Sequence, residues 1–341
     1  KYIFESVCSI LNQSFKDFEL IVVDDGSTDN TREILASIKD KRLKVYFNDK
    51  NMGIPYTRNR GIELASGEYF ALLDSDDVAT VDRLEKQVDF LNKHPDCAVV
   101  GGFVARINQH SKVIRTIKFR YTKPDYIHSS MLFQCPLNNT TVMGRTSLFK
   151  KFKYNSDFKL GEDHELFMRL YLSGYKLYNM NRILGFFRYH NERTTSIKLD
   201  VSISMQKEIA KRQLEILDIN FTENDLNNHI YLSSKSRSKS AHVDIDIDID
   251  FIKWAESWFF DLITANNKIK LYPVNAFKHI IGTRWGQICL LRGTKKFTSE
   301  KIKYFLTSPL TRYTLSSLKI NFFLYVLHKI FNNVNKLRWT I

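Results

Sequence analysis

The stretch Phe70–Leu84, FALLDSDDVATVDRL, sets three carboxylates into four positions directly after a run of apolar residues. Like charges this close repel. A carboxylate that leaves water also loses several kcal/mol of hydration unless positive charge meets it. The pattern therefore calls for a cation at the end of a buried strand, and for a fold that brings partners to that end.

The flanking sequence supplies such a fold. Upstream, FELIVVDDGSTDNT (18–31) runs from an apolar, β-branched segment into Asp24, Asp25 and Gly26, with Ser27 or Asp29 able to cap a following helix. LKVYFND (43–49) reads as a second strand. NMGIPYTRNRGIELASGEYFALLDSDD (51–77) reads as a glycine-containing loop, a helix from about Pro55 to Ala65, a turn at Ser66-Gly67 and the strand that ends at Asp74. VDRLEKQVDFLNKHP predicts a helix stopped before Pro95, and CAVVGGFVARIN a further strand. Strands alternating with helices predict an α/β fold with a mostly parallel central sheet, and ligands in such sheets bind beyond the carboxyl ends of the strands. Both acidic clusters fall at such ends.

Beyond Lys123 the pattern is less regular. A helix is expected around PDYIHSSMLF and a strand at TTVMGR. In GEDHELFMRLYLSGY, Leu166, Phe167, Leu170 and Tyr171 mark one helical face; a short strand LGFFRYH follows. Asp74-Ser75-Asp76 suits magnesium or manganese, hard cations that take one or two carboxylates together with substrate phosphates. Glu162 and Asp163 stand at a loop-to-helix junction, where carboxylates can cap a helix or one can act as a general base. His190, after a strand and before a polar turn, can be a core histidine or complete a metal site.

In this order, ILNQSFKDFELIVVDDGSTDNT, NMGIPYTRNRGIELASGEYFALLDSDD, DRLEKQ, GEDHELFMRL and FRYHNERTTS resemble the inverting glycosyltransferase family 2, which has the GT-A fold, over about residues 5–197. The resemblance implies that Asp24 and Asp25 contact the base and ribose of a nucleotide-sugar donor. It implies that Asn51, Gly53 and Arg58 line the nucleotide and its phosphates, and that Asp74 and Asp76 hold donor and metal with Asp77 beside them. It gives Asp163 the role of base and His190 a place near a Mn2+ or Mg2+ ion. The acceptor expected is a hydroxyl of a saccharide or lipid-linked glycan in cell-surface polysaccharide synthesis, and 123–145 is expected on the acceptor side. Members of the family begin with an apolar strand, whereas this chain opens at KYIFESVCSILNQSF, already in the first helix. A DxD aspartyl-phosphate phosphatase with Asp74 as nucleophile, and a non-catalytic sugar-nucleotide-binding subunit, are the alternatives.

The rest of the chain reads as different modules: a helix and low-complexity linker over 201–250, then a basic, aromatic helical module over 251–341. The low-complexity part, 233–250, joins a Ser-rich basic block to strict Ile/Asp alternation and reads as an insertion or irregular edge strand, with calcium binding as the sharper reading. The net charge of +14 is concentrated at the end, where 251–341 holds 15 Lys or Arg against 3 Asp or Glu. A helical stripe of Ile320, Phe323, Leu324, Leu327, Phe331 and Val334 reads first as packing in a core or against a partner helix. The basic charge of 251–341, with Lys295, Lys296, Lys301 and Lys303 upstream of the stripe, is expected to dock the chain on an anionic membrane surface. No nucleic acid partner is expected. The four cysteines form no CxxC pair and fit a reducing cytosol. No apolar run reaches the roughly 18–20 residues of a membrane span. The expected location is cytoplasmic, with a peripheral hold on the inner face of the membrane.

Overall fold

The computed structural model describes residues 1–117, 121–190, 199–233, 247–290 and 299–317. The described chain divides into two units, Lys1–Met131 with Cys135–Ile209, and Leu132–Gln134 with Ala210 onward.

The first unit opens with α1 (Ile3–Leu11), which buries Ile3, Val7 and Ile10 along one face. β1 (Leu20–Asp24), α2 (Thr31–Ser37) and β2 (Leu43–Phe47) follow, and β1 and β2 pair in parallel with Asp24 opposite Phe47. Val7 and Leu35 close the core beneath this pair, with Val22 and Val45 packed against them. α3 (Ile54–Leu64) begins where Gly53, at φ 90°, lets the chain turn, and Pro55 fills an early position whose missing N–H costs the helix nothing.

β3 (Tyr69–Ala71), β4 (Val78–Ala79), α4 (Arg83–Lys93), β5 (Cys97–Ile107), β6 (Val113–Ile117), α5 (Pro124–Ser130), β7 (Met143–Arg145), α6 (Thr146–Phe152), α7 (Glu162–Leu172) and β8 (Lys176–Arg188) complete the unit's sheet and its cover. The sheet runs β3-β7-β5-β8-β4, with β6 paired to β5. The fold is α/β as expected, but the pairing is mixed rather than mostly parallel. Among the described residues β1–β2 and β5–β8 are the parallel pairs; β7 runs antiparallel to both β3 and β5, and β4 antiparallel to β8. TTVMGR yields only the three-residue β7, and LGFFRYH is the end of the long β8 rather than a separate short strand. β5 is the axis, buried along its length save at Arg106. Val99 faces a core with Leu166, Phe167 and Leu170 of α7, and Val100 faces one with Leu84 and Leu91 of α4. These two layers leave β1, β3 and β8 ending in acidic or polar turns.

The second unit is helical: the later part of α8 (Leu199–Ile216), α9 (Glu223–Ser233), α10 (Ile249–Ile269), α11 (Val274–Leu290), α12 (Ser299–Thr307) and α13 (Thr311–Ser317). The Ile/Asp alternation ends as a helix start: Ile247 is buried, and the Asp248 carboxylate accepts from Phe251 N at 2.8 Å to cap α10. Inside, Trp258 Nε1 donates to His229 Nδ1 at 3.1 Å and His229 Nε2 meets the Leu132 carbonyl at 2.9 Å. Burial pushes that imidazole down to about 4, so it is neutral at physiological pH. Lys301, counted above among the basic surface groups, is buried instead and donates to the Ile247 carbonyl; Lys303 is exposed. The stripe 320–334, Lys295 and Lys296, and residues 234–246 of the low-complexity segment lie outside the described residues. Among the described residues no helix is long and apolar enough to cross a membrane.

Candidate active site

The acidic turn after β3 is built from below by a buried arginine. Arg83 lies in the first turn of α4 and donates to the carbonyls of Leu72 (2.7 Å), Thr140 (2.8 Å) and Val142 (3.2 Å), and to Gln87 Oε1. Complete burial pushes its guanidinium down to about 10, against the pull of Asp77 and Asp74. It remains charged at neutral pH and gives the turn the positive charge that three crowded carboxylates call for.

The turn is closed by β8. Asp77 is 1% exposed, and its Oδ1 accepts Arg188 N at 2.8 Å. Burial, with Asp74 and Asp76 alongside, raises its carboxyl well above the ordinary carboxylate range. Arg188 is also buried; it donates to Asp76 O (2.7 Å), Asn108 O (3.2 Å), Ser111 Oγ (2.9 Å) and Glu5 Oε2 (2.6 Å). Two residues on, His190 Nε2 lies 2.9 Å from Asp76 Oδ2, while its Nδ1 is buried with no hydrogen-bond partner. The ring of Tyr2 covers both, 5.2 Å from His190 and 4.4 Å from the Arg188 guanidinium.

Asp74 is engaged differently. Its backbone N–H donates to Thr140 Oγ1 and its Oδ1 accepts Arg58 Nη2 at 2.8 Å. The second arm of Arg58 donates to Glu162 Oε1, and the guanidinium lies 5.4 Å from the Tyr154 ring. Burial opposes the charge on Arg58, but Asp74 and Glu162 hold it firmly protonated. Burial and the adjacent Asp163 push Glu162 upward, against Arg58, which pulls it down. Asp163 is half-buried at the start of α7, and its Oδ1 accepts its neighbour's amide, His164 N, at 2.7 Å.

At the end of β1 the two aspartates differ. Asp24 is buried and takes Ser27 N (3.1 Å) and Arg32 Nε (3.3 Å), its Oδ2 having no hydrogen-bond partner. Asp25 instead holds the loop after β2, accepting Asn48 Nδ2 (2.7 Å), Met52 N (2.8 Å) and Gly53 N (2.9 Å). Burial alone would raise its pKa, yet these donors hold it below the usual value. Asn51 is exposed beside this loop, and Gly26, at φ +77°, passes so close that an added Cβ would lie 2.8 Å from Asn51 N.

The structure thus draws the predicted residues into three groups. Asp76 pairs with His190, Asp74 with Arg58, and Asp25 with the backbone that carries Asn51 and Gly53. Sequence reading missed Tyr2, Glu5, Arg83, Arg188, Asn48 and Tyr154. Of these, Arg83 and Arg188 carried a local signal, Arg83 through its place in DRLEKQ and Arg188 through its place two residues before His190. Among the described residues no three His, Cys, Asp or Glu side chains gather tightly enough to hold an ion by themselves. The Asp76–His190 pair nevertheless fits a hard divalent cation. It offers one oxygen and one imidazole nitrogen already in contact, with room in the coordination for phosphate oxygens.

Residues 1–158 match the family described as Glycosyl transferase family 2. A Bacillus subtilis relative, "Putative teichuronic acid biosynthesis glycosyltransferase TuaG", is 30% identical over 205 residues, covering 58% of this chain and 77% of its own. An "Uncharacterized glycosyltransferase" of Haemophilus influenzae is 32% identical over 208 residues, 58% of this chain and 64% of its own, so the chain spans less than two thirds of that relative. The fold is similar to that of S. aureus TarS 1-349 in complex with UDP-GlcNAc, with a TM-score of 0.55 and 22% identity over 84% of this chain and 83% of that one. The chain belongs to glycosyl transferase family 2 and has a GT-A-type fold.

Proposed function

We propose that this chain transfers a sugar from a nucleotide diphosphate sugar, a UDP-sugar, to a hydroxyl of a saccharide or lipid-linked glycan, with inversion, in the synthesis of a cell-surface polysaccharide. The observation that carries the reading is the Asp76–His190 contact of 2.9 Å at the end of β3, with Arg58 and Asp74 beside it. The TuaG and TarS likenesses support the class of polymer and the uridine nucleotide respectively. Family membership leaves no role for Asp74 as a phosphatase nucleophile.

Each residue then has a task. Asp24 and Asp25 frame the nucleoside, with Asn51 and Gly53 on the loop that Asp25 holds. Asp74, Asp76 and His190 would hold Mn2+ or Mg2+ against the donor diphosphate. When bound, such an ion offsets the negative charge that gathers on the departing diphosphate. Asp163 accepts the proton of the acceptor hydroxyl as its oxygen bonds to the anomeric carbon from the face opposite the leaving group. The half-exposed setting of Asp163, beside the buried Glu162, supports this division of labour.

We further propose that 251–341 holds the enzyme at the cytoplasmic face of the membrane, near a lipid-linked acceptor, through its excess of basic residues. Flotation with anionic vesicles tests this: binding unaffected by high salt, or equal for a 1–250 truncation, refutes it. A panel of UDP-sugars assayed for UDP release with and without saccharide acceptors tests the reaction. Manganese-dependent UDP binding with no transfer or donor hydrolysis would make the chain a binding subunit instead.

A further inference from the structure

Among the described residues, Arg58 is the half-buried cation of the site that serves two carboxylates from different elements. Its side chain is 14% exposed. Its seat is fixed on a third side by Tyr154, whose backbone is bracketed by Asn59: Asn59 Nδ2 donates to Tyr154 O and Tyr154 N to Asn59 Oδ1, both at 2.8 Å. The Tyr154 hydroxyl donates to Asn139 at 3.1 Å. The guanidinium therefore cannot follow one partner without leaving the other. Glu162 is 7% exposed and meets it from the first turn of α7; Asp74 meets it from the acidic turn.

A single positive charge facing Asp74 alone would neutralise it. Shared between Asp74 and Glu162, it leaves the group with a net negative charge and Asp74 only partly compensated. We propose that Glu162 is a positioning residue: by sharing Arg58 with Asp74, it sets how readily Asp74 serves a divalent cation arriving with a nucleoside diphosphate. The inference rests on the reading that Asp74, Asp76 and His190 face that cation. Asp163, one residue on, makes no hydrogen bond within the bridge and acts on it only through its charge, which pushes Glu162 upward.

The test is calorimetric titration of UDP into the full chain over a series of manganese concentrations, with an EDTA arm, for the wild type, Glu162→Gln and Asp163→Asn. Glu162→Gln leaves Arg58 to Asp74 alone. It should raise the manganese needed for half-maximal UDP binding about tenfold, the scale of one charge-assisted hydrogen bond. UDP binding in EDTA should be no weaker than in the wild type, because a negative charge has been removed. Asp163→Asn, which leaves both arms of the bridge in place, should shift the manganese demand far less than Glu162→Gln does. Wild-type manganese demand in Glu162→Gln overturns the proposal, as does equal weakening with and without manganese, which marks a packing role. UDP binding by the wild type that is indifferent to manganese overturns the cation site itself, and this inference with it. Should Glu162→Gln fail to fold, Arg58→Lys reads the same competition from the other side: it loses the planar fork that spans both carboxylates. It should lower the manganese demand, and an unchanged demand again overturns the proposal.

Discussion

His190 and Asp76 lie 2.9 Å apart, nitrogen to oxygen, although 114 positions separate them in the chain. The contact brings the end of β8 onto the turn after β3. Asp76→Asn should therefore uncouple nucleotide from metal: UDP binding should become insensitive to EDTA, at the weak level the wild type shows without manganese. Retention of a manganese response by that variant, followed by calorimetry, would remove Asp76 from the ion's ligands.

Among the described residues the Asp163 carboxylate is hydrogen-bonded to its neighbour's amide and forms no ion pair, so it can be changed without breaking a bridge. Asp163→Asn should leave UDP affinity nearly intact while kcat falls by about 10²- to 10⁴-fold, the usual worth of general-base assistance. Steady-state UDP release with the best acceptor measures this, and normal turnover would exclude the residue from proton transfer.

Gly26 has a positive φ of 77°, and an added Cβ would press on the Lys50–Asn51 backbone at 2.8 Å. Gly26→Ala should cost roughly 1–3 kcal/mol. It should also weaken UDP binding, because it pushes away the loop that Asp25 holds. A variant that unfolds at a lower temperature but binds UDP as the wild type does would show that this loop is not part of the nucleotide site.

Arg188 is almost wholly buried and serves four oxygen acceptors by side chain alone. Arg188→Met should destabilise the first unit by roughly 3 kcal/mol, since it strands buried carbonyls. Arg188→Lys should recover little, because an ammonium cannot reach acceptors arranged around a planar fork. Urea denaturation compares the two; a lysine variant as stable as wild type would contradict the geometry.

His229 gives the second unit a pH dependence of known sign. Burial depresses its folded pKa to about 4, below the ordinary value of 6.5, so the unfolded chain takes up a proton first as pH falls. Its contribution is complete above pH 6.5 and is lost between there and pH 4, by about 2 kcal/mol at pH 5. His128, also pushed to about 4 by burial, adds to the same window. Thermal unfolding from pH 7 to 5 should show the loss, and His229→Gln should flatten its slope. An unchanged slope would mean that the imidazole is already accessible to protons in the folded chain.

The parts of this site legible in the sequence are those built by local grammar. Asp24, Asp74 and Asp163 each sit where a strand or loop hands over to the next element, and apolar patterning reveals such junctions. What escaped was long-range. Nothing near Arg188 announces Glu5, and nothing near Arg83 announces the Thr140 carbonyl, because those partners meet only once the sheet has formed. Alternating strands and helices also led to an expectation of parallel pairing. The antiparallel insertion of β7 between β3 and β5 overrides it, through a three-residue strand too short to register as a pattern.

The central strand has a consequence for how the protein comes to exist in the cell. β5 is buried nearly throughout, yet its parallel partner β8 is made only after α5, β7, α6 and α7 have left the ribosome. β6 and β7 can pair with it earlier, but for several seconds at ordinary synthesis rates of about 5–20 residues per second the edge of CAVVGGFVARI that β8 covers has no partner strand. The first unit is thus a late-closing structure that depends on its last strand. Chains halted before Lys176 should be ready clients for chaperones and proteases.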